Sequence, residues 1–458
     1  MNKWKLSVAK PLYSHYTKGD RKEVVIVKKI KIGVLGAYRG PSMINYCKRS
    51  DNAEVVAICD KSAEAIETQK QYAEGLNVTF YDNFDDFIKH DMDAVVLANY
   101  AHQHAPFAIR AMREGKHVFS EVVPVQTLKE AVELIEAVEE TGMTYAYGEN
   151  YCYMPCTAEM TRLYGENKIG ELEYAECEYV HNGETIWPSI TYGEKDHWRN
   201  WMYSTFYCTH SFGPIVHMSK LRPVSVIGIE SNLNARRQRV GSRCANVGIE
   251  MVTLENGAIV KSIHGGLYRD AIWYSVHGSK GRMESGRPHS SDGTIEHIYV
   301  SADDYDGEYA NRPVESYDPS RPLDKNAEGF GHGGSDFYSM YHFVEYLRGS
   351  KDGDIIDVYE AMDMFLPGMF AFRSILNGSV PTAIPNLRDP AERDKWRNDV
   401  ACTDAAVAGD QLLPTRKGGT PDIEDAVYER QLQLWLKDKN SDSGYHAQAT
   451  TQGSEPKA

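Results

Sequence analysis

The chain has 458 residues, 42% apolar and 25% charged, an ordinary globular balance and more length than one compact core usually holds, so two domains are expected. Its formal net charge of −15 argues against nucleic acid or an anionic membrane as the main partner, because phosphate binding needs concentrated Lys and Arg. No early stretch has the apolar core of a signal peptide and no run reaches transmembrane length, so the expected compartment is the cytoplasm.

Residues 1–28 are basic and irregular and read as an extension that packs on a neighbour or is poorly ordered. Between 29 and 150 short apolar runs alternate with helical patterns. "IKIGVLG", "EVVAICD", "AVVLANY", "HVFSEVV" and "TYAYGEN" read as strands, with helices near 41–50, 61–74, 104–114 and 127–141. That alternation predicts an α/β Rossmann domain, a doubly wound parallel sheet with helices on both faces, which binds its ligand at the carboxyl ends of the strands.

From 151 to 438 the rhythm changes. "ELEYAECEYVHN", "PVSVIGIES", "VGIEMVTLENGAIVKSIHGG" and "AIWYSVHGSKGRMES" alternate apolar and polar residues around turn signals at Glu255-Asn256-Gly257 and Gly278-Ser279-Lys280-Gly281. The pattern predicts an α+β domain, an open antiparallel sheet with helices on one face. Such a sheet must cover or solvate its other face, so a homo-oligomer through it is expected. Segments 335–348 and 355–376 have helical periodicity and are candidates to return to the first domain. The tail 439–458 is polar and low in complexity and reads as disordered.

The dinucleotide signal starts in "GVLGAYRGPSM". Gly36 sits where the tight turn of a dinucleotide loop belongs and Gly40 near the helix start, while Tyr38 takes the place of the second glycine. Asp60 closes the second strand 24 residues after Gly36, where a carboxylate accepts from the adenosine ribose and repels a 2′-phosphate, favouring NAD over NADP. A turn or helix-cap aspartate is the competing reading.

"GAYRG", "VVAICD", "AHQHAPFAIRAMREGKHVFSEVV" and "GENYCYMP" together resemble the Gfo/Idh/MocA family of nicotinamide-dependent sugar oxidoreductases over about 30–376. "SEVV", "ECEYVHN", "DHWRN", "YCTHSFGP" and "GHGGSDFYSMYHF" are similar to one branch, the NAD-dependent glycosidases of glycoside hydrolase family 109. Tyr38, the Val123-Pro124 pair and insertions near 185–195 and 285–325 depart from that branch.

The resemblance implies NAD as cofactor, held by Gly36, Tyr38, Arg39, Gly40 and Asp60, with Asn99, His102, His104, Glu121 and Asn150 as further cofactor-side candidates. For Glu121 and Asn150 a sugar hydroxyl, a turn or a cap are competing roles. The wider family carries a lysine after the glutamate of "SEVV", where this chain has Val122. A base must then come from elsewhere, and Tyr207 and His210, three apart on the helix expected for "FYCTHSFGPIVHM", are the catalytic candidates with Tyr179. A core tyrosine and histidine on an amphipathic helix is the bland alternative. His181, Arg199, His332 and Asp336 are candidates for binding substrate hydroxyls, with the glycines of "GHGGSD" making a tight turn.

No metal is expected, since the spacings of His102, His104, His210 and His217 match no zinc pattern. The eight cysteines include no CxxC pair and read as reduced, semi-buried thiols. The function implied is redox-neutral cleavage of a small-molecule glycoside: oxidation at C3, loss of the C2 proton with expulsion of the C1 substituent, hydration, and re-reduction. A net sugar 3-dehydrogenase and a non-catalytic sugar or NAD sensor are the alternatives.

Overall fold

The computed structural model describes residues 29–287, 295–302 and 314–440. The expectations for the extension 1–28 and for the tail beyond 440 fall outside the described residues. The chain divides into two compact units. The first runs to Val125 and adds Glu130–Gly148 and Phe337–Val358; the second comprises Gln126–Lys129, Glu149–Asp336 and the chain from Tyr359 onward.

The first unit is built on a six-stranded sheet of β1 (Ile30–Leu35), β2 (Ala53–Cys59), β3 (Thr79–Tyr81), β4 (Ala94–Leu97), β5 (His117–Ser120) and β6 (Tyr145–Tyr147). Its order is β3-β2-β1-β4-β5-β6 and every pairing is parallel. All four residues of β4 are buried, as a strand covered on both faces requires. The order reverses between β1 and β4, the place where such sheets take their ligand. β3 was not expected: Thr79-Phe80-Tyr81 are strand-favouring residues, but the strand they form is only three residues long.

The helix Ser335–Leu347 supplies much of its length to this unit. Phe337 packs against Tyr46 with ring centroids 5.4 Å apart, Phe343 lies 5.6 Å from Phe119, and Glu345 accepts from Asn52 at 2.8 Å.

The second unit carries nine strands: β7 (Leu172–Val180), β8 (Pro223–Glu230), β9 (Val247–Leu254), β10 (Ile259–Gly265), β11 (Ala271–Gly278), β12 (Gly281–Ser285), β13 (Ile298–Ala302), β14 (Glu315–Tyr317) and β15 (Thr382–Ala383). They run β14-β13-β12-β11-β7-β10-β9-β8-β15. Each neighbouring pair is antiparallel except β7 with β10, which is parallel. The sequence pattern marks local hairpins such as β9–β10, but nothing local sets the direction of two strands separated by residues 181–258.

Period-2 alternation places Val252, Val260, Ala175 and Val276 in one buried row. Helices cover that face. Tyr203 stacks on Phe372 of the helix Val358–Leu376 at 4.5 Å, and a Cβ on Gly228 would lie 2.0 Å from the Ala371 carbonyl oxygen. So only the stretch up to Val358 joins the first unit, and most of that long helix serves the second sheet. All eight cysteines are buried, and no disulfide joins them among the described residues. Among the described residues no helix is long and apolar enough to cross a membrane.

Candidate active site

In the first unit the loop after β1 is shaped by backbone. Gly36 has φ +102°, and a Cβ there would lie 2.4 Å from the Ala98 backbone. A Cβ on Gly40 would meet the Gly36 carbonyl oxygen at 2.5 Å. The helix Pro41–Arg49 then begins with proline in its first turn and no side-chain cap, and the positive end of such a helix favours an anion such as a pyrophosphate. Asp60 accepts from Ala37 N at 2.7 Å through Oδ2 and from Ser62 N at 2.8 Å through Oδ1. The turn role is thus filled, and each oxygen keeps a lone pair that could accept from a ribose hydroxyl. Tyr38, half-buried in the second-glycine place, has its phenol pushed up by burial.

Arg39 and Glu121 form an ion pair at 2.8 Å, tying the glycine loop to the end of β5. Asn99 keeps a buried Oδ1 without a partner, and His102 stacks near Tyr100 at 6.0 Å. His104 is placed differently from expectation. It is buried, with Nδ1 2.9 Å from the Val123 carbonyl and Nε2 3.2 Å from that of Asn99, so it braces two loops. Burial lowers its pKa to about 4, against the opposing pull of those carbonyls. Val122, in the lysine position, is buried.

In the second unit a cluster forms around His210. The helix carrying it is Thr209–Ser219 and starts two residues after Tyr207, so the expected shared helical face is replaced by a turn. The turn still brings the Tyr207 and His210 rings to 5.2 Å. Pro214 lacks the N–H that would bond the His210 carbonyl in a helix; the Tyr274 hydroxyl donates to that oxygen instead at 2.5 Å. Glu149, fully buried, accepts from His210 Nδ1 at 2.8 Å and from Tyr151 N at 3.1 Å. A carboxylate on Nδ1 fixes the tautomer and leaves Nε2 as the basic nitrogen.

Aromatic rings enclose that imidazole. Tyr151 and Tyr179 lie 4.5 Å and 4.6 Å from it, and 5.3 Å from each other. Burial pushes both phenols above their usual range. Arg199 donates to the Tyr207 hydroxyl at 3.4 Å, and Trp198 stacks on Tyr207 at 6.0 Å with 8° between planes. His181 is half-exposed, 6.1 Å from Tyr179 and 3.4 Å from Asp270.

The "GHGGSD" turn is confirmed as tight: His332, Gly333 and Gly334 all have positive φ. Asp336 is buried, accepting from Asn150 Nδ2 at 2.8 Å and pairing with His332 at 3.2 Å. It anchors those two side chains, and Asn150 keeps a buried Oδ1 without a partner. Among the described residues no group of three or more His, Cys, Asp or Glu forms a metal-holding cluster.

Glu149 and Tyr151 were not singled out from sequence. A carboxylate inside the aromatic run "YAYGENYCYM" was the available signal, since such a residue is rarely buried unless paired.

The first unit and its loop define a nucleotide-binding oxidoreductase fold. Residues 30–149 match the family model described as the oxidoreductase family, NAD-binding Rossmann fold (GFO_IDH_MocA), and residues 270–397 match the glycosyl hydrolase 109 C-terminal domain. The chain is thus similar to the Gfo/Idh/MocA oxidoreductases in its first unit and to glycosyl hydrolase family 109 in its second.

A glycosyl hydrolase family 109 protein of Solibacter usitatus is 26% identical, with 80% of this chain and 89% of that protein covered. One from Porphyromonas gingivalis is 24% identical over 79% and 85%. Levoglucosan dehydrogenase, solved with NADH and levoglucosan, has a TM-score of 0.63 at 16% identity, covering 78% of this chain and all of that one (100%). The WlbA dehydrogenase from Bordetella pertussis, solved with NADH and UDP-GlcNAcA, has a TM-score of 0.60 at 17% identity, covering 79% and 99%. NAD is the cofactor of the first unit; the glycine loop, the uncapped helix and Asp60 fit it.

Proposed function

We propose that this protein is an NAD-dependent glycosidase that cleaves a small-molecule glycoside without net redox change. The observation that carries this reading is the composition of the cluster around His210. Hydrolysis by direct displacement needs two carboxylates flanking the bond, one as acid and one as base or nucleophile. Here the two clustered carboxylates, Glu149 and Asp336, are buried and engaged with His210, Asn150 and His332. The side chains left for proton transfer are a histidine and tyrosines, which suits elimination beside a ketone.

When bound, NAD supplies reversible hydride exchange at a sugar carbon. The chain's own residues handle the protons. Tyr207, whose oxygen accepts from Arg199, takes the C3 hydroxyl proton in place of the lysine absent at Val122. His210, held by Glu149, removes the C2 proton through Nε2. Tyr179 and Tyr151, kept protonated by burial, donate to the ketone oxygen and its enolate. Trp198, buried and stacked on Tyr207, holds that ring in place.

A cytoplasmic location is supported by eight buried cysteines with no disulfide among the described residues. Homo-oligomer formation through the second sheet is supported by its outer face, where Ile227, Ile249, Met251 and Ile263 are half-exposed on three adjacent strands and Ile229 is exposed. The test is a panel of 4-nitrophenyl glycosides with nitrophenol and NADH followed together. Nitrophenol release without accumulating NADH is expected. NADH rising in step with a 3-keto glycoside whose aglycone is still attached would make the protein a net dehydrogenase.

A further inference from the structure

In a chain of net charge −15, four arginines fall within eight residues: Arg236, Arg237, Arg239 and Arg243. Three of them have visible partners. Arg236 and Arg239 both bind the Glu184 carboxylate, Arg236 also donates to Asn182, and Arg243 donates to the Tyr428 hydroxyl at 3.1 Å. Arg237 has none of this kind. It is only 8% exposed, its Nε is buried without a partner, and its guanidinium lies 5.3 Å over the Trp187 ring. Among the described residues no carboxylate pairs with it.

A guanidinium with its Nε shut off from water and no counter-charge is costly to keep, and its Nη atoms are left to meet an anion. The surroundings are built for close approach to this one. A Cβ on Gly266 would lie 2.2 Å from Arg237 Nη2, so the guanidinium packs against bare backbone there.

The position links it to the catalytic cluster. His181 N donates to the Gly265 carbonyl at 2.9 Å, which puts Gly265-Gly266 beside the end of β7, the strand bearing Tyr179. On the other side Trp187 Nε1 donates to Asn200 at 2.9 Å. The preceding residue, Arg199, lies 4.4 Å over Trp198 and 5.4 Å over Tyr207, and it too has no ion pair among the described residues.

Resting on the carbohydrate reading above, we propose that Arg237 forms a subsite for an oxyanion, the carboxylate or sulfate group of an acidic sugar. The substrate class is then an anionic glycoside. A planar guanidinium stacked on an aromatic ring offers paired donors that match a carboxylate or sulfate edge.

The test is calorimetric titration of the full-length, NAD-loaded protein with glucuronate, inorganic sulfate and, as the uncharged control, glucose, at fixed ionic strength. Wild-type protein is expected to bind glucuronate, and Arg237→Met to bind it at least about tenfold more weakly, with Arg237→Lys between them. NAD affinity and melting temperature check that each variant is folded; should Arg237→Met fail to fold, Arg237→Lys and Arg237→Gln carry the comparison. Sulfate binding without glucuronate binding narrows the ligand to sulfated sugars. Binding unaltered by the substitutions, or no uptake of either anion, overturns the proposal. Anion binding that depends on Arg237 alongside a silent glycoside panel would instead locate the failure in the glycosidase reading.

Discussion

The loop between β1 and the helix Pro41–Arg49 works through backbone, whereas the cluster around His210 works through side chains drawn from distant segments. Around Gly36 the decisive facts are a positive φ, a missing Cβ and uncapped N–H groups. Around His210 they are a buried carboxylate 61 residues away and rings from Tyr151, Tyr179 and Tyr207. A backbone device leaves a local sequence mark, while a side-chain cluster is assembled by the fold. Substitutions in the first region should therefore act on cofactor affinity, and substitutions in the second on turnover.

The largest expected effect sharpens that division. His210→Ala removes the group proposed to transfer the proton and is expected to lower kcat by about a thousandfold or more, with NAD affinity, read by calorimetry, close to wild type. A large loss of NAD affinity in that variant would break the division.

His104 gives the next effect, on stability. Its folded pKa of about 4 lies below an unfolded value of about 6.5, so the unfolded chain binds the extra proton between those values. Its contribution to stability is complete above about pH 6.5 and is lost as pH falls toward 4, by about 3 kcal/mol in all. Denaturant melts across that window should show the decline, and His104→Gln should flatten it by one proton's worth.

Glu149→Gln comes third. As a positioning residue Glu149 should cost kcat about a hundredfold when neutralised, with KM changed little, and Glu149→Asp should recover part of the loss. Equal effects on KM and kcat would mean that Glu149 holds the fold rather than the imidazole. The smallest effect belongs to the loop: Asp60→Asn keeps an acceptor for one backbone N–H but loses the charge, and should weaken NAD by about tenfold while relaxing discrimination against NADP. Titrating both nucleotides against the variant checks this.

The same contrast explains what could be read in advance. Gly36, Gly40 and Asp60 sit at fixed spacings in a strand-turn-helix and were legible, as were the hairpins around Glu255-Asn256-Gly257 and Gly278-Ser279-Lys280-Gly281. Tyr207 and His210 were paired for an incorrect local reason, since the helix starts at Thr209. The resemblance supplied what periodicity misplaced. Glu149 escaped notice because its partner is remote in sequence, and the parallel pairing of β7 with β10 because direction across a long connection has no local signature. His104 looked like a cofactor contact, and only its two carbonyl partners show that it braces loops.

The central claim is that His210 removes a proton beside a transient ketone rather than assisting a direct displacement. The most direct measurement is turnover of an accepted glycoside in deuterated water, with the product sugar analysed by NMR. The account predicts one solvent deuteron at C2 and none at C3, with aglycone released and no NADH left over. Aglycone release with C2 still fully protonated would contradict it.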